Sequence, residues 1–167
     1  MHVALTDLYR AKWTYMIHDE WIRNLLKNRP DLTKESLERT RDLMDAHVRD
    51  CLVTGFQDLI EAITLPDAGD RHVVAAAICS DADVIVTFNL KHYPESAIAR
   101  YGIEAQHPDE FLGYQLDLAS NLVCVAAKRH RASLKKKPKT VEEYLATLEA
   151  QGLAQTVARL RKFSELI

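Results

Sequence analysis

The stretch Leu65-Pro-Asp-Ala-Gly-Asp-Arg-His-Val-Val-Ala-Ala-Ala-Ile-Cys-Ser-Asp-Ala-Asp-Val-Ile-Val-Thr-Phe-Asn-Leu90 decides how this chain is read. An acidic turn, Asp67 to Asp70, opens onto an Ala-rich helical run, and a strand, Asp83 to Thr87, follows. Three consecutive β-branched residues, Val84, Ile85 and Val86, show no polar alternation, which predicts burial on both faces, as in a parallel sheet covered by helices. The strand leads into polar Thr87 and Asn89, at the carboxyl end where ligands of parallel sheets gather. Asp81 and Asp83 flank the tight helix-to-strand connection at the other end and read as structural.

Upstream, helical periodicity dominates. Val3, Leu5, Leu8 and Tyr9 predict a first helix. Ile17, Trp21 and Leu25, flanked by Ile22 and Leu26, form the stripe of a second that must stop near Pro30. Asp31 to Thr33 offer caps for a third, which carries Leu37, Met44 and Val48. Cys51 to Thr54, ended by Gly55, is a short strand, and Ile103 to Gln106 a weaker one. Helices between strands make the class α/β.

Beyond Asp117 the chemistry changes. From Leu118 to Val141 there is no acid, while Lys128, Arg129, Arg131, Lys135, Lys136, Lys137 and Lys139 crowd together. They read either as an RNA-backbone contact or as a solvated linker or helix face. Thr140 with Glu143 is a capping-box pattern, Gly152 suits the end of that helix, and Leu153, Val157, Leu160 and Phe163 mark a last one. Residues 118–167 thus read as a helical extension packed on an α/β body.

Length and composition bound the class. A chain of 167 residues, 47% apolar and 28% charged, is one ordinary globular unit, and a net charge of −2 leaves nucleic-acid contact to local patterning. Cys51, Cys79 and Cys124 lie far apart without C-x-x-C spacing, which favours free thiols in a reducing compartment. No apolar run reaches the roughly 18 residues that span a bilayer, and the amino terminus does not resemble a signal peptide, so a cytoplasmic location and no membrane are expected. The histidines show no zinc-type spacing.

The central stretch resembles the PIN-domain family, which includes metal-dependent ribonucleases and VapC-like toxins. The likeness rests on Asp70 just ahead of Val73, Val74, Ala75 and Ala76, on the T-x-N ending Thr87, Phe88, Asn89, and on the pair Lys91 and Tyr93. His18 to Leu26 is similar to the family's second helix, where a Glu supplies an acidic ligand, and Gly102 to Leu112 to its last strand running into a helix. The expected division is 1–117 as a PIN-like domain and 118–167 as the helical extension. The family's opening strand, ending in an Asp that is its first metal ligand, has no counterpart here, since Asp7 falls within the first predicted helix. The resemblance places that strand beside residues 84–87, so another segment, from this chain or a partner subunit, is expected to cover the gap.

By resemblance the chain is a metal-dependent endoribonuclease of the VapC toxin type that uses Mg²⁺ or Mn²⁺, forms a homodimer and is inhibited by a small antitoxin protein. Without the first Asp, metal binding and cleavage are expected to be impaired. Glu20 and Asp70 are then the metal ligands, with Asn89 as the third catalytic residue, and Asn24, Thr87 and Lys91 contact RNA. Hard divalent cations need only a few converging carboxylates, which agrees with such a set. Each residue also has a plainer reading: Glu20 as a solvated helix residue, Asp67 and Asp70 as caps, Asn89 as a turn former. Arg71, His72 and His92 surround the same strand end and would contact phosphate, or donate a proton, only if held close. The competing expectations are a catalytically inactive PIN-like module that binds RNA or protein, and a generic doubly wound ligand-binding module.

Overall fold

A computed structural model describes residues 2–135 and 137–167; Met1 and Lys136, the latter part of the basic run, lie outside the described residues. The chain forms two compact units. One comprises residues 10–85 and 89–105, the other the described residues up to Tyr9 together with 86–88 and 106–167.

In the first unit, helix α1 (Tyr15–Asn28) begins where the Thr14 side chain accepts from the Ile17 N–H, and it ends just before Pro30. Helix α2 (Lys34–His47) starts at Thr33, whose hydroxyl accepts from the Ser36 N–H at 3.2 Å. A part-buried polar knot ties the two together. Trp13 Nε1 donates to Asp45 Oδ1 at 2.7 Å, His18 Nε2 meets the same oxygen at 2.9 Å, and Trp21 Nε1 donates to His18 Nδ1 at 2.9 Å. An indole can only donate, so His18 Nδ1 must accept, which leaves the imidazole proton on Nε2 facing Asp45. After a 3₁₀ segment at Gln57–Ala62 comes helix α3 (Arg71–Cys79), whose Val74, Ala75, Ala76 and Ala77 are buried. These small side chains let α3 pack closely in a core with Phe56, Ile63, Ile85 and Ile98, the last from the short helix α4 (Glu95–Ile98).

Strands β1 (Val84–Val86) and β2 (Glu104–Gln106) pair in parallel: the Glu104 N–H donates to Asp83 O and the Thr87 N–H to Gln106 O, each at 2.9 Å. The class is therefore α/β, with a short parallel sheet and a helical carboxyl-terminal part, as expected. The expected burial of β1 on both faces is corrected: Ile85 is buried but Val86 is 43% exposed, because the sheet has two strands among the described residues and covers one face. The expected strand at 51–54 is reduced to an isolated parallel bridge between Trp13 and Leu52. Where a first helix was expected there is a 3₁₀ turn, His2–Leu5, and Asp7 lies outside it with φ +57°, a left-handed conformation that ends helical structure.

The second unit is helical. Helix α5 (Pro108–Ser133) carries the chain across residues 117 and 118, interrupted by non-helical backbone at Ala119. Helix α6 (Val141–Ala150) has the Thr140–Glu143 capping box and ends at Gly152 with φ +86°. Helix α7 (Ala154–Leu160) runs into a 3₁₀ segment, Arg161–Leu166. Leu116, Val123, Cys124, Leu145, Val157 and Leu160 form its core. No side chain caps α7 from its own N-cap, Leu153; instead the buried Asp109 carboxylate accepts from the Gln155 and Thr156 N–H groups at 2.9 and 2.7 Å. Burial alone would raise the Asp109 pKa, but the bonds from Thr156 and Gln155 outweigh it and hold this carboxyl below the usual Asp value. Arg159 Nη1 donates to Gly113 O at 2.7 Å and to Asp117 Oδ2 at 2.6 Å, and a Cβ at Gly113 would meet the guanidinium at 3.3 Å. Among the described residues no helix is long and apolar enough to cross a membrane.

Candidate active site

One face of α1 and the turn before α3 enclose the candidate site. Met16, Asp19, Glu20 and Arg23 follow the i, i+3, i+4, i+7 spacing of a single helix face, and with Asp67, Gly69, Asp70 and His72 they line an open cavity of about 520 Å³. Four carboxylates therefore share one cavity with one arginine.

The two aspartates of the turn differ in local duty. Asp67 is the N-cap of the 3₁₀ turn Ala68–Asp70, and its Oδ1 accepts from the Gly69 N–H at 2.8 Å. Asp70 stands immediately before α3 yet makes no capping bond. Its carboxylate turns instead toward the loop after β1, where His92 Nδ1 donates to Oδ2 at 2.7 Å and the buried Tyr93 supplies a further side-chain hydrogen bond. Burial, then the negative charges of Asp70, Glu20 and Asp67, push the Tyr93 phenol well above its ordinary range, so it stays protonated and donates. One ligand atom each from Asp67, Asp70 and His92 lie within 4.8 Å of one another. Glu20, on the other wall, has its Oε2 3.6 Å from Nε2 of the buried His72.

Two carboxylates and an imidazole at this separation, with two more carboxylates along the cavity, suit a hard or borderline divalent cation. Of the residues singled out in the sequence, Glu20 and Asp70 line the same cavity. Asn24 is exposed on α1 and is not among the lining residues. Asn89 is exposed at the start of the 3₁₀ turn Leu90–His92, where its carbonyl accepts from the His92 N–H at 2.9 Å and so supports the turn that presents His92. Lys91 is exposed in that turn. Thr87 belongs to the second unit, half-buried beside β2. Sequence reasoning did not single out Asp19 or Arg23, and left His72 and His92 conditional on being held close; for the first two, their i, i+4 spacing on the helix that carries Glu20 was the signal available.

The basic run divides. Arg131 donates to the carbonyls of Lys139 and Ile167, and Lys139 Nζ to Thr147 Oγ1 at 2.6 Å, so these two hold structure together. Lys128, Arg129, Lys135 and Lys137 are exposed. Cys51, Cys79 and Cys124 are free thiols.

Residues 108–162, which comprise α5, α6 and α7, match the family model described as the VapC50 C-terminal domain. Over these helices the chain is similar to that family. A Mycobacterium tuberculosis (strain ATCC 25618 / H37Rv) protein named "Putative ribonuclease VapC50" is 55% identical over 64 residues, 38% of this chain and 37% of that protein. In this match the chain spans little more than a third of its relative's length. No solved structure matches the chain. The family-model match lies on the helices of the second unit, whereas the acidic cavity belongs to the first.

Proposed function

We propose that this chain is a metal-dependent endoribonuclease of the VapC toxin type, with Asp67, Asp70 and His92 holding a divalent ion and Glu20 completing the acidic wall. The observation that carries this reading is the convergence of these three ligand atoms within 4.8 Å beside a cavity that Glu20 and Asp19 also line. Held by Asp67, Asp70 and His92, a divalent ion would supply Lewis-acid polarisation of a scissile phosphate and would lower the pKa of a bound water. The protein's own groups do the positioning. Tyr93 and His92 each donate to Asp70, which fixes the rotamer of that carboxylate before any ion arrives. Asn89 is a positioning residue that acts through the turn carrying His92, and Asn24 and Lys91 of the same unit contact RNA outside the cavity. The imidazole in the donor set favours Mn²⁺ over Mg²⁺, since Mg²⁺ takes oxygen ligands almost alone.

The decisive experiment is incubation of single-stranded RNA with the purified chain in Mn²⁺, Mg²⁺ or chelator, beside Asp70→Asn. Cleavage in Mn²⁺ that the chelator and the substitution both abolish is expected. RNA binding without cleavage would support the inactive PIN-like module instead.

The same reading includes a cytoplasmic location, an antitoxin partner and self-association. For the last, α5 exposes Tyr114, Leu118, Leu122 and Val125, with acids Glu110 and Asp117 toward its start and Lys128 and Arg129 toward its end. An antiparallel second copy would cover these exposed side chains on both sides of the Ala119 interruption and set Glu110 against Lys128 and Arg129, which makes a second copy of the chain the fitting occupant.

A further inference from the structure

Arg23 stands in an unusual setting. It lines a cavity with Asp19, Glu20, Asp67 and Asp70, and it follows Asp19 by four residues on α1, the spacing at which acid and base on a helix surface normally pair. Yet among the described residues Arg23 forms no ion pair within 4.0 Å, while Glu20 turns to His72 at 3.6 Å. The guanidinium is exposed, permanently charged, and placed one turn along the helix from the carboxylates. A cavity of this kind repels a polyanion everywhere except at that side chain and at a bound cation. An arginine fork matches two phosphate oxygens at once, which fixes orientation as well as adding attraction.

We infer that Arg23 binds a backbone phosphate of single-stranded RNA and so seats the strand against the acidic cavity. This rests on the ribonuclease reading. Arg23 is a substrate-binding residue here, and it sets where along the α1 face the phosphodiester enters. The carboxylates hold the cation, and the arginine, with no ion-pair partner within 4.0 Å among the described residues, holds the anion.

The test is fluorescence anisotropy with the full chain and a labelled, phosphorothioate-linked single-stranded RNA in Mn²⁺, titrated at several KCl concentrations. Arg23→Ala should weaken RNA affinity by about tenfold and reduce the slope of log affinity against log salt by about 0.7, the share of one phosphate contact on a single strand. Arg23→Lys should restore the salt slope while recovering only part of the affinity, because a point charge replaces the fork. Mn²⁺ affinity by calorimetry should not fall in either variant, and the melting temperature should not change. Unchanged RNA affinity in Arg23→Ala overturns the inference, as does a variant whose only effect is tighter Mn²⁺ binding, since Arg23 would then merely balance the carboxylates. Absence of RNA binding by the unsubstituted chain would overturn the ribonuclease reading itself, whereas intact cleavage by that chain with an indifferent Arg23→Ala overturns this inference alone.

Discussion

His92 Nδ1 donates to Asp70 Oδ2 at 2.7 Å across 22 residues of sequence, joining the turn that opens α3 to the turn that follows β1. This bond makes two local features into one site. A carboxylate otherwise available to cap a helix is held away from that task, and an imidazole otherwise in a surface turn is held beside two acids.

His92→Ala should therefore lower Mn²⁺ affinity by about 10–100-fold, the range for losing a group that holds or orients a metal ligand. It should lower Mg²⁺ affinity less, because Mg²⁺ gains little from imidazole. Calorimetric titration of both ions decides this; an equal loss for the two would place His92 outside the coordination set.

Asp45 accepts from Trp13 and from His18 at a single oxygen. Asp45→Ala should leave both donors without their partner, at a cost of about 1–3 kcal/mol for each buried group that water cannot reach. Chemical denaturation followed by tryptophan fluorescence would register the loss, and a stability change under half a kcal/mol, roughly the surface-substitution range, would mean that solvent replaces Asp45.

Asp109 holds the start of α7 through its ionised carboxylate. Its folded-state pKa is depressed, so the stability it contributes is fully present above the ordinary Asp value and is lost as the pH falls through the lower folded value. Asp109→Asn should lower stability at neutral pH by about 1–2 kcal/mol and flatten the decline below about pH 4. Thermal melts of both proteins across that window check the slope; parallel curves would contradict the assignment.

Leu118 is 70% exposed on α5, immediately before the interruption at Ala119. Leu118→Arg should convert a self-associating chain to a monomer at micromolar concentration in sedimentation velocity, without loss of helicity. A chain that is monomeric before substitution would remove the self-association proposal.

Local physics made much of the architecture legible in the sequence alone. The caps at Thr33 and Thr140, the stops at Pro30 and Gly152, and the β-branched run at 84–86 each depend on interactions between residues a few positions apart, which spacing encodes directly. The same locality explains why Asp67 was readable as a turn residue. Tertiary structure alone decided which side chains meet. Nothing in the spacing of Asp70, His92 and Tyr93 says that both later residues donate to the first, or that Asp109 caps a helix 46 residues away. It also decided that Val86 faces outward, since a β-branched run declares a strand but not how many neighbours cover it. Burial and long-range partner choice follow from how whole elements pack, and a carboxylate acquires its role from whatever donors that packing delivers to it.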